Sequence, residues 1–300
     1  MTKALILSLA ILALCTAPLT SEASSKPASG QKTILITGAS GKLGSAMTQH
    51  LSTAGYYVYA GARKEADLAR LNQMTNVSGL QLDVNEPAQI AAAVKAIEKD
   101  GAGLHGLVNN AGILREANLL EMSDADFNAV MQVNIFGPFR VTKAMGPLLK
   151  AHKGRIVNIS STGSVSCLPS WGAYCMSKSA LELYTDTLAM ELRNDGVAVI
   201  ALEPGNYGPA ENGGGDPMDI ARAVEQAVFT DPIPKARYLV VPTQKNATAT
   251  VSAQFRRMLQ MNQDHAYSLS LEELQKMLQK QYRRMNRQGQ QKVVSPAAAN

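Results

Sequence analysis

The stretch TILITGASGKLG, residues 33–44, joins an apolar run to a glycine-rich turn and then to a segment with helical spacing. Glycines in such a turn let the backbone bend sharply, approach a pyrophosphate and pack a helix closely on a strand. The N-terminus of the following helix offers N–H groups to phosphate. A glycine-rich turn alone is weak evidence, because any turn with positive φ favours glycine. Its place between a strand and a helix predicts a nucleotide-binding loop made of Gly38, Ser40, Gly41, Lys42, Leu43 and Gly44.

Short aliphatic or β-branched runs recur along the chain and alternate with longer helical patterns. The predicted strands are 33–37, 57–62, 79–83, 104–110, 154–160, 197–203 and 237–241. The predicted helices are 43–53, 88–98, 124–149, 173–193 and 218–228. Continuous apolar strands separated by helices are typical of a parallel sheet that is covered on both faces. The sequence therefore predicts a doubly wound α/β fold with a parallel sheet of about seven strands.

Length and composition favour one globular domain with appendages. The chain has 300 residues, of which 46% are hydrophobic and 18% charged. That is enough apolar surface for one sizeable core. We expect the folded domain to cover residues 32–245 and a helical extension to cover residues 246–282, where Ser270 and Glu273 form a capping-box pattern.

The formal net charge of +5 comes largely from the C-terminal tail. Basic residues crowd there without an aromatic ladder: Lys280, Arg283, Arg284, Arg287 and Lys292. We expect residues 283–300 to form a solvated, disordered tail, and we favour this over binding to nucleic acid or to an anionic membrane.

The N-terminus has the layout of a secretory signal. One basic residue precedes an apolar run from Ala4 to Leu14, and small residues lead to a cleavage site near Ala23. A marginal membrane anchor is the alternative, because the run is shorter than the ~20 residues of a membrane span. With a linker at 24–31, the sequence predicts an exported or membrane-associated protein, in a periplasm or secretory lumen. The alternative is an anchored domain on the cytoplasmic side.

The three cysteines are Cys15, Cys167 and Cys175, without a CxxC or His/Cys cluster. No metal site is indicated. We expect Cys167 and Cys175 to be two free thiols, although a bridge between them is possible in an exported protein.

Cofactor choice is expected where the second strand ends, because the adenosine ribose lies there in such folds. The sequence YAGARK has no acidic residue for a 2′-hydroxyl, while Arg63 and Lys64 are available to a 2′-phosphate. This favours NADP(H), with NAD(H) possible. Lys42 could add a second cation or point into water. Asp83, which precedes Val84, could accept from the adenine amino group or cap the helix that starts near Pro87.

The stretch SWGAYCMSK, residues 170–178, places Tyr174 and Lys178 one helical turn apart. For that spacing alone, an exposed pair is the commoner explanation. A free tyrosine titrates near ~10, so a shift to about 7 requires roughly 4 kcal/mol. An ammonium at ~5 Å supplies roughly 3 kcal/mol at an effective dielectric of ~20. The positive charge of an oxidised nicotinamide could provide the remainder.

Seven motifs in order make residues 32–242 resemble the short-chain dehydrogenase/reductase family, whose fold is Rossmann-like. They are TGASGKLG, LDV, NNAG (109–112), VNIFG (133–137), IVNISS (156–161), YCMSK and EPG (203–205). Each motif is ordinary by itself, and their order and spacing make the resemblance specific.

The resemblance implies a role for each matching residue. Ser161 orients and polarises a substrate carbonyl, with Ser160 as the weaker candidate. Tyr174 is the acid/base, Lys178 binds the nicotinamide ribose and lowers the tyrosine pKa, and the backbone carbonyl of Asn134 holds a relay water. Further cofactor contacts are implied for Val84, Asn110, Ala111, Gly112, Pro204 and Gly205, with Asn109 in the same motif.

The chain departs from the family pattern at three places. Lys42 stands where the second glycine is usual, and Asn206 stands where a threonine commonly follows Pro204–Gly205. The short segment 208–217 replaces a helical lid and predicts an open pocket. Trp171 and Tyr207, with the neighbouring Leu114, Cys167 and Leu168, are expected near the pocket mouth, which favours an apolar or aromatic substrate.

The function predicted from these residues is an NADP(H)-dependent oxidoreductase that interconverts a ketone or aldehyde and an alcohol. One alternative is a nucleotide-binding sensor or scaffold with little turnover. The other is a sugar-nucleotide epimerase or dehydratase, which would need a larger C-terminal domain. Like its relatives, the protein is expected to form a homodimer or homotetramer through the helices at 134–149 and 174–193, and no nucleic-acid partner is expected.

Overall fold

The computed structural model describes residues 26–293, with side chains through residue 286. In this part of the chain, seven strands form one sheet with the order β3-β2-β1-β4-β5-β6-β7, and every neighbouring pair is parallel. The strands are β1 (Thr33–Thr37), β2 (Tyr57–Ala62), β3 (Val77–Gln81), β4 (Gly106–Asn109), β5 (Arg155–Ile159), β6 (Ala198–Pro204) and β7 (Arg237–Val240). The predicted doubly wound sheet is confirmed.

Helices connect the strands and cover both faces of the sheet. They are α1 (Lys42–Thr53), α2 (Glu65–Leu71), α3 (Pro87–Asp100), α4 (Asp124–Met131), α5 (Gly137–Ala151), α6 (Gly172–Glu191), α7 (Pro217–Glu225), α8 (Gln244–Met261) and α9 (Leu271–Val293). A π-helical segment, Gln132–Phe136, separates α4 from α5, and another, Gln226–Thr230, follows α7. The sequence had indicated one continuous helix over 124–149 and no helix at α2.

The core consists of two apolar layers, one on each face of the sheet. β1 contributes to both, because alternate side chains of a strand point to opposite faces. Ile34 and Ile36 belong to one cluster and Leu35 to the other, and all three are fully buried. Full burial of each such side chain stabilises the fold by about 1.5–3 kcal/mol. This is why β1 is an uninterrupted apolar run.

The strand order reverses at β1, which pairs with β2 on one side and β4 on the other. The connections from these strands leave toward opposite faces and open a crevice at the carboxyl edge of the sheet. The functional residues predicted from the sequence follow the carboxyl ends of the strands, so the topology collects them at this edge.

The C-terminal extension is a pair of helices. α9 begins with the predicted capping box, in which Ser270 N–H donates to Glu273 Oε2 at 2.7 Å and Glu273 N–H donates to Ser270 Oγ at 3.3 Å. The helix continues to Val293, into the segment for which the sequence predicted a solvated tail. Gln, Lys, Arg and Met are good helix formers, and the cap supplies the start that they need.

The predictions for residues 1–23 and for the end of the tail, 294–300, lie outside the described residues. Within the predicted linker, Gln31 is anchored, since its Nε2 donates to the Gly55 carbonyl oxygen at 2.9 Å. Among the helices of the described chain, none combines the length and apolar character that crossing a bilayer requires.

Candidate functional site

A cleft of about 1080 Å³ opens at the carboxyl edge of the sheet. Its walls come from the glycine-rich turn, the ends of β2 to β6, the start of α6 and one side of α8. Ligand sites in proteins commonly measure ≈ 300–1,000 Å³, so the cleft is large enough for a sizeable ligand. The glycines of the turn and the polar groups of the lining indicate what kind of ligand fits.

The glycine-rich turn has the shape of a phosphate cradle. Gly38 has a φ of +64°, and a Cβ there would lie 3.0 Å from Ala111 Cα. A Cβ at Gly44 would lie 2.2 Å from the Gly38 carbonyl oxygen. Gly41 is the N-cap of α1, and no described side chain caps this helix. The first N–H groups of α1 are therefore available to an anion, as a pyrophosphate requires.

Lys42 is the first residue of α1, in the position that is usually the second glycine. Its Nζ donates a hydrogen bond to the carbonyl oxygen of Gly208, in the loop after β6. The sequence had left two alternatives for this ammonium, a phosphate contact or open water. The structure instead places it as a link between the start of α1 and the loop after β6.

The cationic group expected at a 2′-phosphate lies at the end of β2. Arg63 and Lys64 line the cleft, and Arg63 Nη1 is 3.8 Å from Asp83 Oδ2. Asp83 Oδ1 also accepts from Asn85 N–H at 2.9 Å, so this carboxylate shapes the turn before α3. Val84 follows it, lines the cleft and is buried.

The NNAG segment ties β4 to β1. The N–H groups of Asn110 and Ala111 both donate to Thr37 Oγ1 at 3.0 Å, and Asn110 Nδ2 donates to the Thr37 carbonyl oxygen at 2.9 Å. Asn109 points into the interior, where its Nδ2 donates to Asn158 Oδ1 at 2.8 Å. The first asparagine thus supports the sheet, while the next three residues border the cleft.

Asn134 lies in the π-helical segment between α4 and α5 and is buried. Its Nδ2 donates to the Ile113 carbonyl oxygen and to Ser177 Oγ, both at 3.0 Å, and its Oδ1 accepts from Ile113 N–H at 2.9 Å. The side chain therefore joins the loop after NNAG to α6. Single π-helical turns disturb the regular backbone pairing and are frequent at functional sites.

Ser161, Tyr174 and Lys178 all line the cleft. Ser161 and Tyr174 flank Gly163, since a Cβ there would lie 3.2 Å from Ser161 Oγ and 3.6 Å from Tyr174 Cε1. Lys178 Nζ lies 5.5 Å from the centre of the Tyr174 ring and donates to the Ile159 carbonyl oxygen at 2.7 Å. The predicted triad is therefore brought together by the end of β5 and one turn of α6.

Burial is the largest influence on the pKa values of Tyr174 and Lys178. It raises the pKa of the Tyr174 phenol, and interaction with the Ser161 hydroxyl lowers it only in part. Burial also lowers the pKa of Lys178 to about 8, against the charge of Glu182, which raises it. Loss of solvent is thus the largest influence on both the phenol and the ammonium.

Cys167 and Cys175 form a disulfide, with their Cα atoms 5.8 Å apart. The prediction of two free thiols is wrong, because the loop after Ser161 folds back onto the first turn of α6. The bridge holds the segment that carries Leu168 and Trp171 next to Tyr174. Both of these apolar side chains line the cleft, and the Trp171 ring meets the Tyr174 ring edge-on at 5.9 Å between centres.

Tyr207 was expected at the pocket mouth. It borders the cleft, but only 6% of it is exposed and its ring packs in the core. The hydroxyl has no hydrogen-bond partner among the described residues. Tyr207 thus contributes more to the wall than to polar recognition.

The loop after Pro204–Gly205 is folded by its own asparagine. Gly205 N–H donates to the Val240 carbonyl oxygen at 2.9 Å, which fixes the end of β6 beside β7. Asn206, at the position of the usual threonine, accepts from Gly208 N–H through Oδ1 at 2.9 Å and donates from Nδ2 to the Asn212 carbonyl oxygen at 2.9 Å. Its amide is therefore engaged within the loop.

One wall of the cleft could not be found from the sequence. Asn246, Ala249 and Thr250 of α8 line it. The short 208–217 segment holds only a single 3₁₀ turn, Ala210–Asn212, and α8 forms a wall beside it that the prediction of an open pocket did not include. These α8 residues belong to no motif, and only the packing of the helix brings them to the site.

Comparison with protein families gives a match over residues 32–212 to the model described as short chain dehydrogenase. The chain is 39% identical over 178 residues to short-chain dehydrogenase PC-15 of Penicillium crustosum, covering 58% of this chain and 65% of that protein. It is 38% identical over 186 residues to estradiol 17-beta-dehydrogenase 2 of Mus musculus, covering 59% and 48%. The matched segment spans less than two thirds of either relative.

Solved structures show the same fold. A 3-ketoacyl-(acyl-carrier-protein) reductase from Brucella melitensis, complexed with NADH, superposes with a TM-score of 0.65 at 25% identity, covering 71% of this chain and 98% of that one. A gluconate 5-dehydrogenase from Burkholderia cenocepacia, in complex with NADP and tartrate, has a TM-score of 0.66 at 23% identity, covering 72% and 95%. One of these two neighbours holds NADH and the other NADP.

Proposed function

Since the chain belongs to the short-chain dehydrogenase/reductase family, we propose that it interconverts a ketone or aldehyde and an alcohol, with a nicotinamide dinucleotide as the partner of the reaction. The observation that carries this proposal is the convergence of Ser161, Tyr174 and Lys178 in the cleft that the glycine-rich turn opens. A purely structural use of that turn would not require an acid, a hydrogen-bond donor and a buried ammonium at the same place.

The residues of the cleft fit a dinucleotide. The uncapped N-terminus of α1 and the Cβ-free surface at Gly38 suit a pyrophosphate, and the NNAG segment and Val84 border the adenosine side. Lys178, Pro204 and Gly205 border the opposite end. When bound, the nicotinamide supplies or takes up the hydride, and the protein provides orientation and proton transfer.

Tyr174 is proposed to give a proton to the developing alkoxide in reduction and to take one from the alcohol in oxidation. Its raised pKa favours the first role at neutral pH, because the phenol is held in its protonated form. Ser161 Oγ donates a hydrogen bond to the same oxygen. In a site shielded from water such a donor contributes about 2.7–4 kcal/mol to the transition state.

NADP(H) is the proposed preference over NAD(H). Arg63 and Lys64 line the cleft at the end of β2, and no acidic residue precedes them in YAGARK. Asp83 lies 3.8 Å from Arg63, on the adenosine side, and partly balances its charge. A 2′-phosphate would add a second anion for this guanidinium, as Arg binds phosphate through several donors at once.

The proposed substrate is apolar or aromatic. Leu114, Leu168 and Trp171 line the cleft near the triad, and the ring of Tyr207 closes one side. Asn246 and Thr250 of α8 add polar groups to the lining. A substrate with one carbonyl or hydroxyl on an otherwise apolar body matches this lining.

We propose an exported protein. The apolar run after Lys3 supports a signal segment, and the Cys167–Cys175 bridge supports an oxidising compartment, where disulfides persist. We also propose a homodimer or homotetramer, which the exposed apolar residues of the π-helical segment and of α5 and α6 support: Phe136, Phe139, Met176, Leu183 and Met190. Cell fractionation with N-terminal sequencing tests the first proposal, and light scattering of the purified protein tests the second.

The test of the catalytic proposal uses the purified full chain. Oxidation of NADPH and NADH is followed with a panel of apolar ketones and aldehydes, for the wild type and for Tyr174→Phe. We expect NADPH-dependent turnover of some panel members and its loss in Y174F, with cofactor binding retained. Tight NADPH binding by the wild type without turnover of any carbonyl would instead favour a sensor or scaffold.

A further inference from the structure

A cluster of charged residues lies behind the triad, where α6 packs over β6 and β7. Arg237 is its centre. Its Nη1 and Nη2 donate to the two carboxylate oxygens of Asp186 at 2.8 Å each, its Nη2 lies 3.1 Å from Glu182 Oε2, and its Nε lies 3.3 Å from Glu203 Oε1. Within the described chain, this one cation faces three carboxylates.

The three carboxylates differ in their surroundings. The side chains of Glu182 and Glu203 are only 13% and 10% exposed, whereas that of Asp186 is 45% exposed. Arg237 forms its well-directed bonds with Asp186. Neither oxygen of Glu182 accepts a well-directed hydrogen bond within the described residues, although Arg237 is close. Burial of a carboxylate that accepts so few hydrogen bonds costs folding free energy, so the presence of Glu182 at this position calls for an explanation.

Glu182 follows Lys178 by one turn of α6, which places their Cβ atoms about 5–6 Å apart on one helix face. Lys178 is the buried ammonium of the triad. Its Nζ donates to the Ile159 carbonyl oxygen, a neutral acceptor. Glu182 is therefore placed to act on the ammonium through its negative charge from the next turn of α6, whereas Tyr174 lies on the preceding turn.

Glu182 also borders a small second cavity of about 180 Å³. This cavity is large enough for several waters, each of which occupies ≈ 30 Å³. Its lining comes from the loop after Ser161 and from α6, β6, β7 and α8: Ser164, Val165, Ser179, Glu182, Glu203, Arg237, Gln254 and Arg257. The charged groups that line this cavity with Glu182 are Glu203 on β6, Arg237 on β7 and Arg257 on α8, and Lys178 and Asp186 lie one turn before and after Glu182 on α6.

We propose that Glu182 is a positioning residue for proton transfer, whose carboxylate keeps the buried ammonium of Lys178 in its charged form. The inference rests on the proposed function, since it assigns a role to Lys178 in the same reaction. The excess negative charge of the cluster offsets the hydration free energy that the Lys178 ammonium loses on burial. Arg237 and the cavity keep Glu182 itself ionised, while Asp186 occupies the exposed side of Arg237.

The directions of titration agree with this geometry. Burial lowers the pKa of Lys178 to about 8, and the Glu182 charge acts against it. Burial raises the pKa of Glu182, while Ser160 and Arg237 lower it. Burial and the Glu182 charge raise the pKa of Glu203 to about 7, so the Glu203 carboxyl is partly protonated near neutral pH. Removal of the Glu182 charge must therefore lower the pKa of Lys178 further.

The experiment measures the pH dependence of kcat/KM for carbonyl reduction in the wild type, Glu182→Gln and Asp186→Asn. D186N is the matched control, because it also removes a carboxylate from Arg237 but on the exposed side, two turns from Lys178. We expect the alkaline midpoint of E182Q to fall by about one pH unit relative to the wild type. The midpoint of D186N should stay within a few tenths of a unit. A second carboxylate variant, Glu182→Asp, should return the midpoint toward the wild-type value.

An E182Q profile that coincides with that of the wild type overturns the proposal and assigns Glu182 to the support of Arg237 alone. If E182Q does not fold, ¹³C NMR of glutamate-labelled wild-type protein decides the matter. The chemical shift of the Glu182 carboxyl carbon should be that of an ionised carboxylate at pH 7, and the shift of a neutral carboxyl contradicts the proposal. Failure of the proposed function is a separate result, visible as full activity of Y174F or as no wild-type turnover.

Discussion

Lys42 Nζ donates a hydrogen bond to the carbonyl oxygen of Gly208, so the first residue of α1 is joined to the loop after β6. Both residues border the cleft. In the usual family pattern a glycine at the Lys42 position offers no side chain for such a link. The departure from the glycine pattern therefore has a structural counterpart on the other side of the site.

Lys42→Ala should loosen the loop that contains Gly208. An exposed hydrogen bond contributes about 0.5–1.5 kcal/mol, so we expect the cofactor KM to rise about threefold with a smaller change in kcat. Hydrogen exchange of the amides in residues 206–215 should become faster in K42A. Lys64→Ala serves as the control for the hydrogen-exchange measurement, since it removes a cleft-lining cation without touching this loop. Unchanged exchange in K42A would show that Asn206 alone holds the loop.

Ser161→Ala should reduce kcat by about 10²–10³, the usual effect of removing one donor to a developing oxyanion. Ser160→Ala is the neighbouring control. Ser160 Oγ is buried and donates to the Lys178 carbonyl oxygen at 3.4 Å, so its loss should cost about 1 kcal/mol of unfolding free energy and change kcat far less than S161A does. Steady-state rates and denaturant unfolding of both variants measure these effects. Equal losses of kcat in the two variants would contradict the assignment of Ser161.

Arg63→Ala should change cofactor choice more than catalysis. Loss of a guanidinium–phosphate contact worth about 1.4 kcal/mol raises the KM for NADPH about tenfold. The KM for NADH should change little, because NADH has no 2′-phosphate. Kinetics with both cofactors, at one ionic strength, give the ratio. A parallel rise for NADH and NADPH would place Arg63 outside the 2′-phosphate site.

Opening the disulfide should destabilise the fold around the segment that carries Leu168 and Trp171. Cys167 and Cys175 are separated by 8 positions, and closing so short a loop stabilises a protein by about 2–3 kcal/mol in the chain-entropy account. We expect Cys167→Ser, and the wild type in reducing agent, to lose similar unfolding free energies. The KM for an apolar substrate should also rise, because the loop carries Trp171. If the reducing agent lowers stability equally in Cys167→Ser, it acts elsewhere.

The strands and the triad could be predicted because they depend on local patterns. β1 is buried on both faces and must be apolar throughout, and the glycine-rich turn needs a positive φ at Gly38. Tyr174 and Lys178 share a helix face by spacing alone. In such places the sequence states the physical requirement directly.

The features that were missed depend on contacts between distant parts of the chain. The π-helical turn at Asn134 is stabilised by bonds to Ile113 and Ser177, which no helical pattern reveals. The disulfide depends on how the loop after Ser161 folds back. The Tyr174 pKa depends on burial, which a calculation from the charge of Lys178 alone omits.

The α8 wall has a consequence for how specificity can change. Asn246, Ala249 and Thr250 lie beyond residue 212, where the match to the family ends, while the triad lies inside it. One part of the cleft wall is thus encoded after the portion of the gene that encodes the triad. A chimera that receives the segment after β7 from another relative could acquire a new preference while its reaction stays the same.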